Sequence, residues 1–119
     1  MSFHLILKSI VAENPGVIGA VVVDWEGEAV AHAALDRSPD MHLIGAHGGI
    51  LSQQIDSALR AALNVAPREV VLRTDAGGIV LVPLSDEYLL VVCFAAASPP
   101  AAALRKIQES VKYLERELA

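Results

Sequence analysis

Several residue groups in this chain could carry chemistry. Asp24, Glu26 and Glu28 cluster within one short stretch, and paired carboxylates can serve as general acid and base. They flank Gly27, however, and Asp and Gly so placed are the usual residues of a solvated turn. Asp75 and the pair Asp86-Glu87 have the same explanation. Gly45-Ala46-His47-Gly48-Gly49 invites a phosphate-cradling reading. It lacks the Lys-Ser/Thr ending of a nucleotide loop and does not follow a strand, so helix packing accounts for it better. His42 and His47 are five apart, a poor spacing for two ligands on one helical face. Neither they nor His4 and His32 have a cysteine or an acidic cluster beside them, so no metal site is expected. Ser52 and Ser57 have no glycine elbow around them. Cys93 is the only cysteine and lies in an apolar run, where a buried thiol is expected and an intrachain disulfide is impossible. These groups supply no catalytic residue, cofactor site or metal site. Trp25 remains: a tryptophan at a turn tip either folds back on the sheet or stands out as an anchor for a partner.

The elements that position these residues follow from two continuous apolar runs. Tyr88-Leu89-Leu90-Val91-Val92-Cys93-Phe94-Ala95-Ala96-Ala97 is the longest, and Val17-Ile18-Gly19-Ala20-Val21-Val22-Val23 is the second. A run with no polar alternation, rich in β-branched residues, reads as a strand covered on both faces. Two such strands imply one sheet with helices on both sides. Around them, residues 2–13 read as a helix with Phe3, Ile6, Leu7, Ile10 and Val11 on one face, stopped by Asn14-Pro15-Gly16. Asp24-Trp25-Glu26-Gly27 turns the first strand into a weaker partner at 28–34.

Asp40 is a fitting N-cap for a long helix over 41–64, ended by Val65-Ala66-Pro67. Its spacing puts Met41, Ile44, Gly48, Leu51, Ile55, Ala58, Leu59 and Ala62 on the sheet side, with Gly49 and Gln53 on the solvated side. A further flank, Leu43, His47, Ile50, Gln54 and Ala61, exceeds what one buried stripe needs. Gly45, Gly48 and Gly49 each cost about 1 kcal/mol relative to Ala in a helix; close approach of another backbone would offset that. Residues 68–74 alternate as a half-exposed edge strand, Asp75-Ala76-Gly77-Gly78 turns, and 79–84 form the next strand. Ser98-Pro99-Pro100 opens a last helix with Leu104, Ile107, Val111, Leu114 and Leu118 on its buried side.

The expected fold is therefore α+β, in the order α-β-β-α-β-β-β-α. Hairpins make the sheet mostly antiparallel. Placing the two most apolar strands side by side gives five strands in the order 2-1-5-4-3.

At 119 residues the chain is one domain, 1–119, large enough for its own core. Hydrophobic residues make up 54% and aromatic ones only 4%, so apolar surface is left over for self-association. A net charge of -5 without a basic cluster argues against nucleic acid and anionic membrane surfaces as partners. The longest apolar run falls short of the ~20 residues of a membrane span. The start, Met1-Ser2-Phe3-His4, has no basic region before an apolar one, so no signal peptide is evident and a cytoplasmic, reducing setting is expected.

The order of elements, with Val17–Val23 leading into Asp24-Trp25-Glu26-Gly27-Glu28, resembles the Roadblock family of small adaptor domains. Gly78-Ile79-Val80-Leu81-Val82-Pro83-Leu84, then a polar turn and the Leu-Val-rich strand at 89–94, is similar to the family's later signature. The chain departs from the pattern in its glycine cluster at 45–49 and its Ser98-Pro99-Pro100 lead-in. The resemblance implies a profilin-like three-layer domain. It also implies homodimers joined through the middle helix and third strand, and a partner among Ras-like small GTPases, bound by a regulator or scaffold that is not itself an enzyme. A bacterial branch of similar compact size stimulates GTP hydrolysis by a gliding-motility GTPase. On this reading Leu43, His47, Ile50, Gln54 and Ala61, with Val71 and Arg73, are the candidate dimer contacts. A ligand sensor is the rival reading and requires a cavity lined by Gly19, Ala29, Ala31 and Ala33; a purely structural adaptor is a third.

Overall fold

A computed structural model describes residues 2–95 and 101–118. The Ala96-Ala97 end of the central apolar run and the Ser98-Pro99-Pro100 lead-in fall outside the described residues. The elements are α1 (Phe3–Glu13), β1 (Val17–Asp24), β2 (Ala29–Ala34), α2 (Met41–Leu63), β3 (Val70–Arg73), β4 (Gly78–Pro83), β5 (Tyr88–Phe94) and α3 (Ala101–Leu118). The five strands form one antiparallel sheet in the order β2-β1-β5-β4-β3. The strand order is the one expected, for the reason expected: the two unbroken apolar runs pair in the middle, with Val21 opposite Val91 and Ala20 opposite Val92.

Side chains alternate across the sheet and so divide the core in two. One half lies under α1 and α3 and contains Leu7, Ile10, Val22, Leu90, Ile107 and Leu114, among others. The other lies under α2 and is smaller, built on Val21, Val23, Met41, Leu81, Leu89 and Val91. The α1 stripe reads as expected, with Ile6, Leu7 and Ile10 buried; Ser2, expected within the helix, caps it instead by accepting from the Leu5 N–H at 3.3 Å. In α3, Ile107, Val111 and Leu114 are buried and Leu104 and Leu118 pack at the margin.

The long helix ends within a residue of the expected place: Asn64 caps it in a left-handed conformation (φ 56), and its N–H bonds back to the Arg60 carbonyl at 3.0 Å. It departs from expectation in two ways. Its buried residues are Met41, Gly45, Gly48 and Gly49, so Gly49 is not solvated. The β1–β2 turn folds onto the helix on either side of this residue, with Gly27 backed against Ala46 and the Gln53 side-chain amide donating to the Trp25 carbonyl at 3.1 Å, while the space directly over Gly49 stays open. Lastly, Ala58 and Ala62 are exposed, because α2 packs on β1, β2 and β5 and leaves β3 and β4 largely uncovered.

The glycines of α2 bring the helix close to its own sheet. A Cβ at Gly45 would come within 2.5 Å of Val23 Cγ1, and one at Gly48 within 3.1 Å of Val91 Cγ2. The close neighbours are valine side chains of β1 and β5, not another backbone.

Candidate functional site

Several of the histidines and carboxylates singled out in the sequence have local roles in turns, caps and ring contacts. Asp24 is spent on its turn: its Oδ1 accepts the N–H groups of Glu26 at 2.9 Å and Glu28 at 3.0 Å. Gly27 completes that turn at φ +87, where a side chain would be strained. His32 and His42 meet edge to face at 4.8 Å, both exposed. Among the described residues no three metal-binding side chains lie together. Asp40 caps α2 by accepting from the N–H groups of His42 and Leu43. Cys93 is buried, and burial pushes its thiol up to about 11, so it is a neutral packing group. Among the described residues, the four expected to line a sensor cavity do not share one space. A Cβ at Gly19 would lie 2.6 Å from Met41 Sδ and 2.8 Å from Ser38 Oγ, so that space is already filled. Ala31 and Ala33, opposite Val22 and Ala20, face the other layer.

What the fold does leave exposed is apolar surface on α2. Leu43 and Ile50 are 57% and 58% exposed, and with His47, Gln54 and Ala61, also exposed, they follow one outward face of α2. Val71 and Arg73 do not join that face. They sit opposite Val80 and Gly78, and Val80 belongs to the α1/α3 layer. The β3 residues on the α2 side are Val70 and Leu72, opposite Leu81 and Ile79.

Here lies a trough that the sequence reading missed. Ile44 and Leu51 from the helix and Val70 and Ile79 from the sheet pack against the smaller core, yet each stays half-buried. Leu72 is half-buried beside them. The trough runs along β3, an edge of the sheet, where backbone groups lack a neighbouring strand. The alternation of β3 was legible in the sequence; which of its faces met the helix was not, because that depends on pairing with β4.

A second feature lies on the other flank of α2. A groove of about 600 Å³ separates the later half of the helix from the β1–β2 and β4–β5 turns. Asp24, Asp56, Asp86 and Glu87 line it, against one cation, Arg60, which donates to Asp56 at 2.8 Å. That hydrogen bond, the charge of Asp56 and, more weakly, that of Asp86 hold the Arg60 guanidinium still more firmly in its charged form. Trp25 stands at the groove mouth, 62% exposed. Of the two orientations open to it, the exposed one is found.

The sequence profile of the Roadblock/LC7 domain matches residues 6–94. The chain belongs to the Roadblock/LC7 family. No curated protein matches it in sequence. Among solved structures it is similar to a Roadblock/LC7 domain from Streptomyces avermitilis, at 19% identity and a TM-score of 0.87, over 99% of this chain and 98% of that one. The gliding protein MglB from Thermus thermophilus superposes with a TM-score of 0.82 at 18% identity, over 97% of this chain and 88% of that one. Profilin IB from Acanthamoeba castellanii does so at 0.67 and 16% identity, over 99% and 100%. The Roadblock/LC7 domain here thus has the profilin-like fold. No helix among its described residues is long and apolar enough to cross a membrane.

Proposed function

We propose that this Roadblock/LC7 protein is a homodimeric regulator or scaffold of a Ras-like small GTPase, acting in the cytoplasm without an active site of its own. The observation that carries the reading is the apolar trough between α2 and β3, beside an open sheet edge, in a chain of this family. A second copy laid against the trough covers Leu51, Val70 and Ile79, and its own β3 satisfies the edge by symmetry. The GTPase partner is inferred from the family resemblance and from likeness to the gliding protein MglB. With no nucleophile, base or metal cluster assembled among the described residues, the mode of action is positioning: the dimer holds the GTPase's own catalytic groups in place.

Two measurements test this. Sedimentation of the pure protein over a wide concentration range should give a dimer, and a monomer at every concentration removes the basis of the proposal. Pull-down against small GTPases of the same cell, each loaded with GDP or a non-hydrolysable GTP analogue, should retain one of them in a nucleotide-dependent way. Retention of none in either state would end the GTPase reading and leave a self-associating adaptor.

A further inference from the structure

We propose that the groove at the Trp25 end of α2 docks a basic segment of a protein partner, one that presents an arginine or lysine side chain to the indole and to the surrounding carboxylates. The proposal stands on shape and charge at this groove alone and does not depend on the partner being a GTPase.

The shape comes from parts far apart in sequence. The β1–β2 turn supplies Trp25, the helix supplies Gly49, Ser52 and Asp56, and the β4–β5 turn supplies Asp86 and Glu87. A volume of about 600 Å³ is within the roughly 300–1,000 Å³ of ligand-sized clefts. Gly49 helps keep it open, since a Cβ there would meet nothing within 4 Å. Leu84 and Leu89, both largely buried, give the groove an apolar floor. A segment lying here would find a greasy base and a charged rim, the pattern that suits the long stem and cationic head of arginine or lysine.

The charge selects the occupant. Of the four carboxylates on the rim, Asp56 already holds Arg60. Among the described residues neither Asp86 nor Glu87 is ion-paired, and both are exposed. A phosphate or nucleotide would be repelled by this rim, whereas a guanidinium or ammonium is attracted to it. The indole adds a second, independent attraction, because a cation over its face interacts with the ring's negative centre. Trp25 is also held ready. Its carbonyl accepts from Gln53, and Asp24 ties off the turn around it, so little order is lost when a partner arrives. A second copy of the chain is a poor occupant. Its densest run of cations, Arg105, Lys106, Lys112 and Arg116 on α3, is interleaved with Glu109, Glu115 and Glu117.

The test uses the full chain and a short fluorescein-labelled peptide whose arginines are spaced by leucine and glycine. The same peptide with every arginine replaced by citrulline is the neutral control. Trp25 is the only tryptophan, so its own emission reports occupancy of the groove directly. The arginine peptide should bind saturably and shift that emission, and the citrulline peptide should bind at least ~10-fold more weakly. Trp25→Ala, and separately Asp86→Asn with Glu87→Gln, should each weaken binding about 10-fold while leaving the circular dichroism melt unchanged. Glu109→Gln with Glu115→Gln removes as much charge from α3 and should change binding less than ~2-fold. Equal losses from the α3 pair and the groove pair would reduce the effect to general acidity and overturn the proposal. So would equal binding of the citrulline peptide, or no saturable binding. Loss of self-association in Trp25→Ala, seen by sedimentation without peptide, would assign the groove to a second copy and overturn it as well.

Discussion

The two faces of this sheet are built from the same strands and closed to different degrees. Under α1 and α3, Leu7, Ile10, Leu90 and Leu114 are shut off from water. Under α2, Val21, Val23 and Val91 are equally buried, but Ile44, Leu51, Val70 and Ile79 remain half-open. Geometry explains the contrast. Five strands about 4.8 Å apart make a sheet roughly 20 Å wide, and a helix with its side chains is about 10–12 Å across. Two helices can span that width; one cannot. The doubly covered face is where the monomer gets its stability, and the singly covered face is where it has surface to offer.

The contrast is easiest to break at its strongest point. Leu114→Ala, at a fully buried site, should cost about 2–5 kcal/mol in urea denaturation, and Leu51→Ala on the open face much less in dilute protein. Equal losses would mean the faces are equally closed. Next in size is association. Leu51→Glu should raise the dimer dissociation constant by about 100-fold, read by sedimentation, while moving the melting temperature of the dilute chain little.

A finer test runs along α2. Gly45→Ala drives a methyl to 2.5 Å from Val23 Cγ1, and an overpacking cost of about 1–3 kcal/mol should outweigh the ~1 kcal/mol of helix propensity gained. At Gly48 the contact is 3.1 Å and the two terms should nearly cancel. Gly49→Ala meets nothing and should stabilise by up to about 1 kcal/mol. Thermal melts of the three variants should rank in that order.

The effect confined to high pH is that of Cys93. Its thiol ionises at about 11 in the folded protein against 9.0 unperturbed, so the folded chain keeps the proton longer. Stability from this group is complete below pH 9 and lost as pH rises toward 11. By pH 10 the loss should stay under about 1.4 kcal/mol and vanish in Cys93→Ala.

Much of the fold was legible because its signals are local. Two unbroken apolar runs marked the middle of the sheet, and Asp40 and Gly27 marked a cap and a turn. What stayed hidden depends on long-range neighbours. Helical spacing put Gly49 in solvent because nothing in it announces that the Asp24–Glu28 turn folds over the helix. The alternation of Val70 and Leu72 gave no sign of which layer they join; the register with β4 puts them on the α2 side and Val71 and Arg73 on the other. The groove was invisible for the same reason, since its three walls come from segments far apart in the chain.

The pairing of β1 with β5 has a consequence for how the chain comes into being. The innermost partners, Val21 and Val91, lie near opposite ends of the sequence, so a wide loop must close before the middle of the sheet exists. On the ribosome, α1 and the first hairpin emerge early and can pack on one another, but the inner edge of β1 has no partner until β5 has been synthesised. A chain cut short ahead of residue 88 would then retain most of its letters and lack the one strand that joins β1 to β4.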